Sequence, residues 1–188
     1  MRVAIAGSHC TGKSTLIAAF VDRRPEYVFE PEAYEALADE IGLTAEGPTP
    51  EGLECLLRYT VSALAVHRPG ACVVFERSPV DYLAYAAASR ATWSPEVVAE
   101  FLRVHTPVVC DAVRHLDVIA LVPVSRKGPI QARPGEDERF RRRVDEKLRR
   151  ALIDDECDLF GGDRSPLVTE LSPLPARQLT ELLRITAG

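Results

Sequence analysis

The sequence predicts an α/β fold, a three-layer αβα sandwich built on a five-stranded parallel sheet in the order 2-3-1-4-5. Two observations predict the layers and the parallel sheet. Short β-branched and apolar runs alternate with stretches of helical periodicity along the whole chain, the pattern of strand-helix-strand crossovers. A glycine-containing loop, GSHCTGKST from Gly7 to Thr15, joins the first of those runs to the first helix. In such a sheet, covered by helices on both faces, ligands bind outside the carboxyl ends of the strands.

RVAIA is the first strand, and the helix after the loop runs from about Lys13 to Asp22. YVFEP is the second strand and ends at Glu30, because Pro31 cannot continue a central ladder. AYEALADEIGL reads as a helix and EGPTPEG as a turn. There Thr49, Pro50 and Glu51 supply an N-cap, a proline at the first helical position and an acid in the first turn. The helix they open, GLECLLRYTVSALAVH, stops before Pro69-Gly70. ACVVF, the most continuous apolar run, is the third strand and ends in ERSP, so Glu76 and Arg77 share the sheet's carboxyl edge with Glu30 and the glycine loop.

Ser94-Pro95-Glu96 and Thr106-Pro107 repeat the start signal and predict two helices, Pro95 to Val104 and Pro107 to His115. DVIALVPV is the fourth strand, and the polar SRKGPIQARPGEDE has loop chemistry. From Glu138 to Ile153, Phe140, Val144, Leu148, Ala151 and Leu152 fall at helical spacing, with Arg139, Arg142, Arg143, Lys147 and Arg149 beside or opposite that stripe. LVTEL is the fifth strand and PARQLTELLRI a closing helix.

With 188 residues, 46% of them hydrophobic, the chain suits one domain spanning residues 1 to 188 that buries its own core. A formal charge of -5 leaves no global basic field, so nucleic acid is not an expected partner and a small molecule is; the basic cluster from Arg139 to Arg150 is local. Cys10, Cys55, Cys72, Cys110 and Cys157 form neither a C-x-x-C pair nor a zinc-like spacing with the histidines, and read as reduced thiols. The N-terminus enters the first strand at once, and no apolar run approaches the ~20 residues of a membrane span. The expectation is a cytoplasmic protein without a membrane partner, with a homodimer left open.

GSHCTGKS matches G-x-x-x-x-G-K-[ST] at Gly7, Gly12, Lys13 and Ser14. Glycines let the backbone curl so that successive N–H groups and the helix N-terminus face an anion; Lys13 reaches the β/γ-phosphates and Ser14 ligates Mg²⁺. Gly7, His9, Cys10, Thr11, Gly12, Lys13, Ser14 and Thr15 are therefore the expected nucleotide contacts, with His9 and Cys10 at variable positions whose side chains usually point outward. A guanine-reading N-K-x-D is absent, and large ATPase motors need more chain. A kinase needs an acid to take the acceptor's proton, cations for the moving phosphoryl group and a lid. Glu30 is the expected proton acceptor, Arg77 the cation for the acceptor oxygen or phosphoryl group, and Glu76 a Mg²⁺ ligand, directly or through water.

GSHCTGKST, FEP, VVFERSPVDYLAY and an arginine-rich helix after the fourth strand, in that order, resemble the deoxynucleoside kinase and thymidylate kinase-like branch of P-loop kinases. The chain looks closer still to the small ATPase/kinase group that includes ribosylnicotinamide kinase-like domains. The likeness covers nearly the whole chain, although only the phosphate loop is highly specific. It implies the P-loop NTPase fold, ATP and Mg²⁺ as cofactors, Glu30 near the acceptor hydroxyl, Glu76 and Arg77 serving Mg²⁺ and the phosphoryl path, and a lid whose arginines are among Arg139, Arg142 and Arg143, with Arg133 a further candidate.

Two departures bear on the acceptor. The aromatic residue after E-P is at best replaced by Tyr34, and the helix from Pro50 to His67 lacks a glutamine to pair with a nucleobase. Glu32, Glu35, Asp81 and Tyr82 are further candidates to line the acceptor site, where acids suit a sugar hydroxyl or a cationic group better than an added phosphate. Arg177, after the fifth strand, is expected to stack on the base or cap its site. The expected activity is phosphoryl transfer from ATP to a hydroxyl of a nucleoside or nucleoside-like acceptor. The alternatives are a nucleoside monophosphate kinase and a nucleotide-dependent regulatory or binding module.

Overall fold

The computed structural model describes residues 1–34, 48–124, 137–161 and 164–187; the expected helix beyond Tyr34, with Glu35, and the loop around Arg133 lie outside the described residues. One parallel sheet carries β1 (Arg2–Ala6), β2 (Val28–Glu30), β3 (Val73–Glu76), β4 (Val118–Leu121) and β5 (Leu167–Glu170), ordered β2-β3-β1-β4-β5. β1 is central: Val3 stands opposite Val74 on one side and Val118 on the other, and Ile5 opposite Glu76 and Ala120. All five β1 residues are buried, which is why the run is apolar throughout apart from Arg2 rather than alternating.

Alternation instead divides the strands between two cores. Val3 and Ile5, with Val74, Val118 and Ala120, face Leu16, Ile17 and Phe20 of α1 (Lys13–Arg23) and Leu182 of α6 (Pro175–Ile185). Ala4 and Ala6, with Val73, Phe75, Ile119 and Leu121, face the larger layer formed by α2 (Pro50–Val66), α3 (Pro79–Ala88), α4 (Pro95–Val113) and α5 (Glu138–Leu152). The expected three layers and strand order are those observed.

Start signals behave as expected at two helices: Thr49 Oγ1 accepts from Gly52 N–H at 3.1 Å, and the Ser94 side chain accepts from Val97 N–H at 3.4 Å. Two expectations need correction. Thr106-Pro107 opens no second helix; α4 runs unbroken through Pro107, because Val98, Phe101, His105, Val109 and Ala112 form one buried stripe at helical spacing across it. Burial of that stripe outweighs the loss of one backbone hydrogen bond, and the proline ring faces solvent. In addition, Ser78-Pro79-Val80-Asp81 carries the same start signal and opens α3, a helix not among the expected elements.

Pro107 thus occupies an exposed helix interior at the expense of a bond to the Arg103 carbonyl. Pro107→Ala should raise the unfolding free energy by about 1–3 kcal/mol in denaturant titration. A loss of stability would mean that the chain needs a break at this position.

Candidate functional site

The turn from β1 into α1 is built around two glycines in left-handed backbone. Gly7 has φ 152°, and a Cβ there would lie 2.7 Å from the Val122 carbonyl, so no larger residue fits beside the end of β4. Gly12, at φ 93°, is the N-cap of α1 and lets the helix N-terminus face the loop. Thr11 Oγ1 and Lys13 Nζ both donate to the Ser8 carbonyl, at 3.1 and 2.8 Å, closing the loop on itself. Ser14 and Thr15 open the first turn of α1 to solvent. Lys13 is buried; burial, reinforced by the nearby Arg77 charge, lowers its pKa from 10.5 to about 8.

The end of β3 supplies the next two groups. Glu76, 7% exposed, accepts from Ser14 Oγ at 2.8 Å, which places a carboxylate and a hydroxyl side by side at the mouth of the loop. Arg77 extends the ladder by one bond, its N–H to the Ile5 carbonyl at 3.1 Å, and then turns left-handed at φ 78°. That turn folds the guanidinium back over the loop. Nη1 donates to the Gly7 carbonyl at 2.9 Å and meets Asp81 Oδ1 at 3.4 Å, Nε donates to Glu32, and the group lies 5.0 Å from the centre of the Tyr85 ring.

Glu30 and Glu32 part company here. Glu30 ends β2 as expected, but its Oε2 pairs with His67 Nε2, 3.1 Å away at the end of α2. Glu32 is the carboxylate that reaches Arg77. Burial opposes its charge, but Arg77, helped by Lys13, outweighs burial and holds its pKa below the ordinary carboxylate value. Asp81 and Tyr82, expected to line the acceptor site, are turned inward instead. Asp81, fully buried, accepts from Gly7 N–H at 3.0 Å through Oδ1 and from Ser78 N–H and Oγ at 2.9 and 2.8 Å through Oδ2. The Tyr82 hydroxyl lies 2.9 Å from Thr60 Oγ1 inside the α2–α3 interface. Tyr34 is 40% exposed.

On α5, the expected Arg139 is exposed, Arg142 pairs with Glu138 at 2.5 Å, and Arg143 lies over Phe140 with Asp137 3.8 Å away. The arginine brought to the loop is Arg141. It is 4% exposed, Nη1 donates to the Cys10 carbonyl at 3.1 Å, and its buried Nε has no partner among the described residues. Its signal was in the spacing: Arg141, Val144, Leu148 and Leu152 stand at i, i+3, i+7 and i+11, so it belongs to the buried stripe.

Residues 2–160 match the AAA domain family. The chain belongs to this family. No curated protein matches it. Its structure is similar to that of deoxyadenosine kinase from M. mycoides with bound dATP, at 13% identity and a TM-score of 0.65 over the whole of both chains. The same enzyme with the products dCMP and a flexible dCDP bound gives a TM-score of 0.69 at 13% identity, over 100% of this chain and 98% of that one. Thymidylate kinase from Candida albicans gives 0.65 at 11% identity, over 99% of this chain and 90% of that one. At these identities the likeness establishes the P-loop kinase fold.

Beside its phosphate loop this AAA domain carries a cleft of about 230 Å³ between α1 and α6, lined by Gly12, Thr15, Leu16 and Ala19 on one side and Pro175, Ala176, Gln178 and Leu179 on the other. Arg177, exposed in the first turn of α6, is adjacent in sequence but does not line it. A larger surface cleft of about 470 Å³ runs along α2 past Glu54, Arg58 and Tyr59 and holds none of the loop residues.

The depressed pKa of Lys13 has a stability consequence. Between about pH 8 and 10.5 the unfolded chain holds this proton more tightly than the folded one, so stability rises with pH across that window and is lowest below it. Lys13→Met, which removes the buried charge and keeps the length, should add about 1–3 kcal/mol of unfolding free energy at pH 7. The gain should shrink as denaturation is repeated from pH 8 upward. A variant no more stable than the parent would show that the loop carbonyls fully compensate the charge.

Proposed function

We propose that this AAA domain transfers the γ-phosphoryl group of ATP to a hydroxyl of a small acceptor that carries no phosphate, a nucleoside or nucleoside-like compound. The observation that carries the reading is the Glu32–Arg77 ion pair, held across the phosphate loop from the Ser14–Glu76 pair. One pair suits the metal-bound donor, and the other suits the acceptor hydroxyl. The fold shared with deoxyadenosine kinase and thymidylate kinase supports it.

Lys13 and the loop N–H groups other than those of Gly7 and His9, which donate to Asp81 and Tyr85, hold the β- and γ-phosphates, and the cleft between α1 and α6 takes the base. Ser14 and Glu76 are hard oxygen donors, and one hydroxyl with one carboxylate is the sparse protein contribution that Mg²⁺ accepts when phosphates and water complete its shell. Bound Mg²⁺ neutralises charge on the phosphate oxygens. The acceptor oxygen forms its bond to the γ-phosphorus as the bond to the β–γ bridging oxygen breaks, and the hydroxyl proton passes to Glu32. Arg77 keeps Glu32 ionised and ready to receive it, and Arg141 offers the migrating group its Nε, which has no partner among the described residues.

Local charge favours an unphosphorylated acceptor over a nucleoside monophosphate. Arg77 is already faced by Glu32 and Asp81, and Glu30 stands beyond, paired with His67, so an added phosphate dianion would meet carboxylates. The same carboxylates suit a cationic ribosyl compound such as ribosylnicotinamide.

Acceptor-dependent ADP release across nucleosides, ribosylnicotinamide, sugars and aminated antibiotics tests the activity. Lys13→Ala should abolish it, and the affinity of the parent for ATP should be full below about pH 8 and weaken above as Lys13 loses its proton. Hydrolysis that stays slow with every acceptor would favour a regulatory nucleotide-binding module. Glu32→Gln should lower acceptor phosphorylation roughly 10²-fold or more with ATP affinity nearly intact, whereas Glu30→Gln should cost less than about threefold. The reverse order would return the base to Glu30.

The lid assignment separates by position. Arg141→Ala should lower kcat by at least about tenfold, and the joint replacement Arg139→Ala with Arg143→Ala by less. An equal loss in the two variants would spread the role over the helix.

A further inference from the structure

We infer that Tyr85 is the positioning residue that sets both the curl of the phosphate loop and the aim of Arg77, the first through its hydroxyl and the second through its ring. α3 presents Asp81 and Tyr85, one helical turn apart, to successive parts of the loop. Asp81 accepts from the N–H of Gly7 at 3.0 Å, and the Tyr85 hydroxyl accepts from the N–H of His9 at 3.0 Å. The same hydroxyl lies 3.3 Å from His9 Nδ1. Two residues of one helix face thus clamp the loop's first turn at alternate amides.

The ring does separate work. The Arg77 guanidinium lies over the ring, 5.0 Å from its centre, so the aromatic face offers the cation a flat support. Phe140 of α5 meets the ring edge-on at 5.9 Å, with planes 65° apart, which fixes the ring's tilt. Burial raises the phenol's pKa above its ordinary value, so at neutral pH the group next to Arg77 adds no charge to the Glu32–Arg77 pair.

Hydroxyl and ring are separable by substitution. Tyr85→Phe keeps the support under Arg77 and removes the acceptor for His9 N–H. It should weaken binding of a fluorescent ATP analogue about 5- to 10-fold, the scale of one hydrogen bond, with kcat within about threefold of the parent. Tyr85→Leu removes both and should lower kcat by at least about tenfold as well, so that phenylalanine rescues turnover but not nucleotide affinity.

The turnover arm rests on the proposed phosphoryl transfer; the binding arm needs neither an acceptor nor chemistry. A parent that binds the analogue yet phosphorylates nothing would defeat the proposed activity and leave the loop-positioning arm to be decided by Tyr85→Phe alone. Unchanged analogue affinity in Tyr85→Phe would overturn the role of the hydroxyl, whatever the leucine variant does. A leucine variant that folds with lowered melting temperature but unchanged kcat would overturn the role of the ring.

Discussion

A guanidinium in a nearly dry place organises this site. Arg77 is 5% exposed, and a charge so placed is tolerated only when its surroundings are polar and correctly spaced. Glu32, Asp81, the Gly7 carbonyl and the Tyr85 face meet that requirement from four directions. Satisfying Arg77 therefore fixes the end of β2, the start of α3 and the first residue of the phosphate loop relative to β3. The loop's shape follows from the same demand, since the Asp81 carboxylate that faces Arg77 also accepts from Gly7 N–H.

Local stability is given up for this arrangement. A left-handed backbone at a non-glycine residue costs of the order of 1–2 kcal/mol, and Arg77 adopts one at φ 78°. Lys13 is a second buried cation placed near the first, and its depressed pKa measures the strain. Neither feature helps the protein to fold. Both are expected where residues are chosen for an anionic ligand that would itself bring the missing negative charge. Bound polyphosphate would relieve the repulsion between Lys13 and Arg77 and complete the electrostatics that Glu32 and Asp81 begin.

How far the sequence was legible depended on the range of the interactions involved. The loop motif, all five strands and the bounds of α6 follow from local pattern, because strand burial and helix caps are written within a few residues, whereas the strand order accords with the resemblance to P-loop kinases. Pro107 misled because a local breaker competes with a buried stripe of five side chains, and only the stripe extends over the whole of α4. At the loop, position along a strand placed Glu76 and Arg77 beside it but could not tell which of Glu30 and Glu32 pairs with Arg77. That choice is made by His67, 37 residues away, which holds Glu30, and by the left-handed turn of Arg77, which reaches Glu32. Arg141 was hidden among its neighbours by composition although its spacing placed it with the buried residues.

The two cores also divide the labour of the site. β1 lies between β3 and β4, so the loop that leaves it stands where successive strands depart in opposite directions along the sheet. On one face α1 and α6 form a cleft that reaches Gly12 and Thr15 of the loop. On the other, α3 delivers Asp81 and Tyr85, and α5 delivers Arg141, to the same loop. β1, β3 and β4 each send side chains to both faces, and the loop that leaves β1 is reached from both. Changes in the α1–α6 layer would therefore reach the loop at Gly12 and Thr15, and changes in the α3–α5 layer at Gly7, His9 and Cys10.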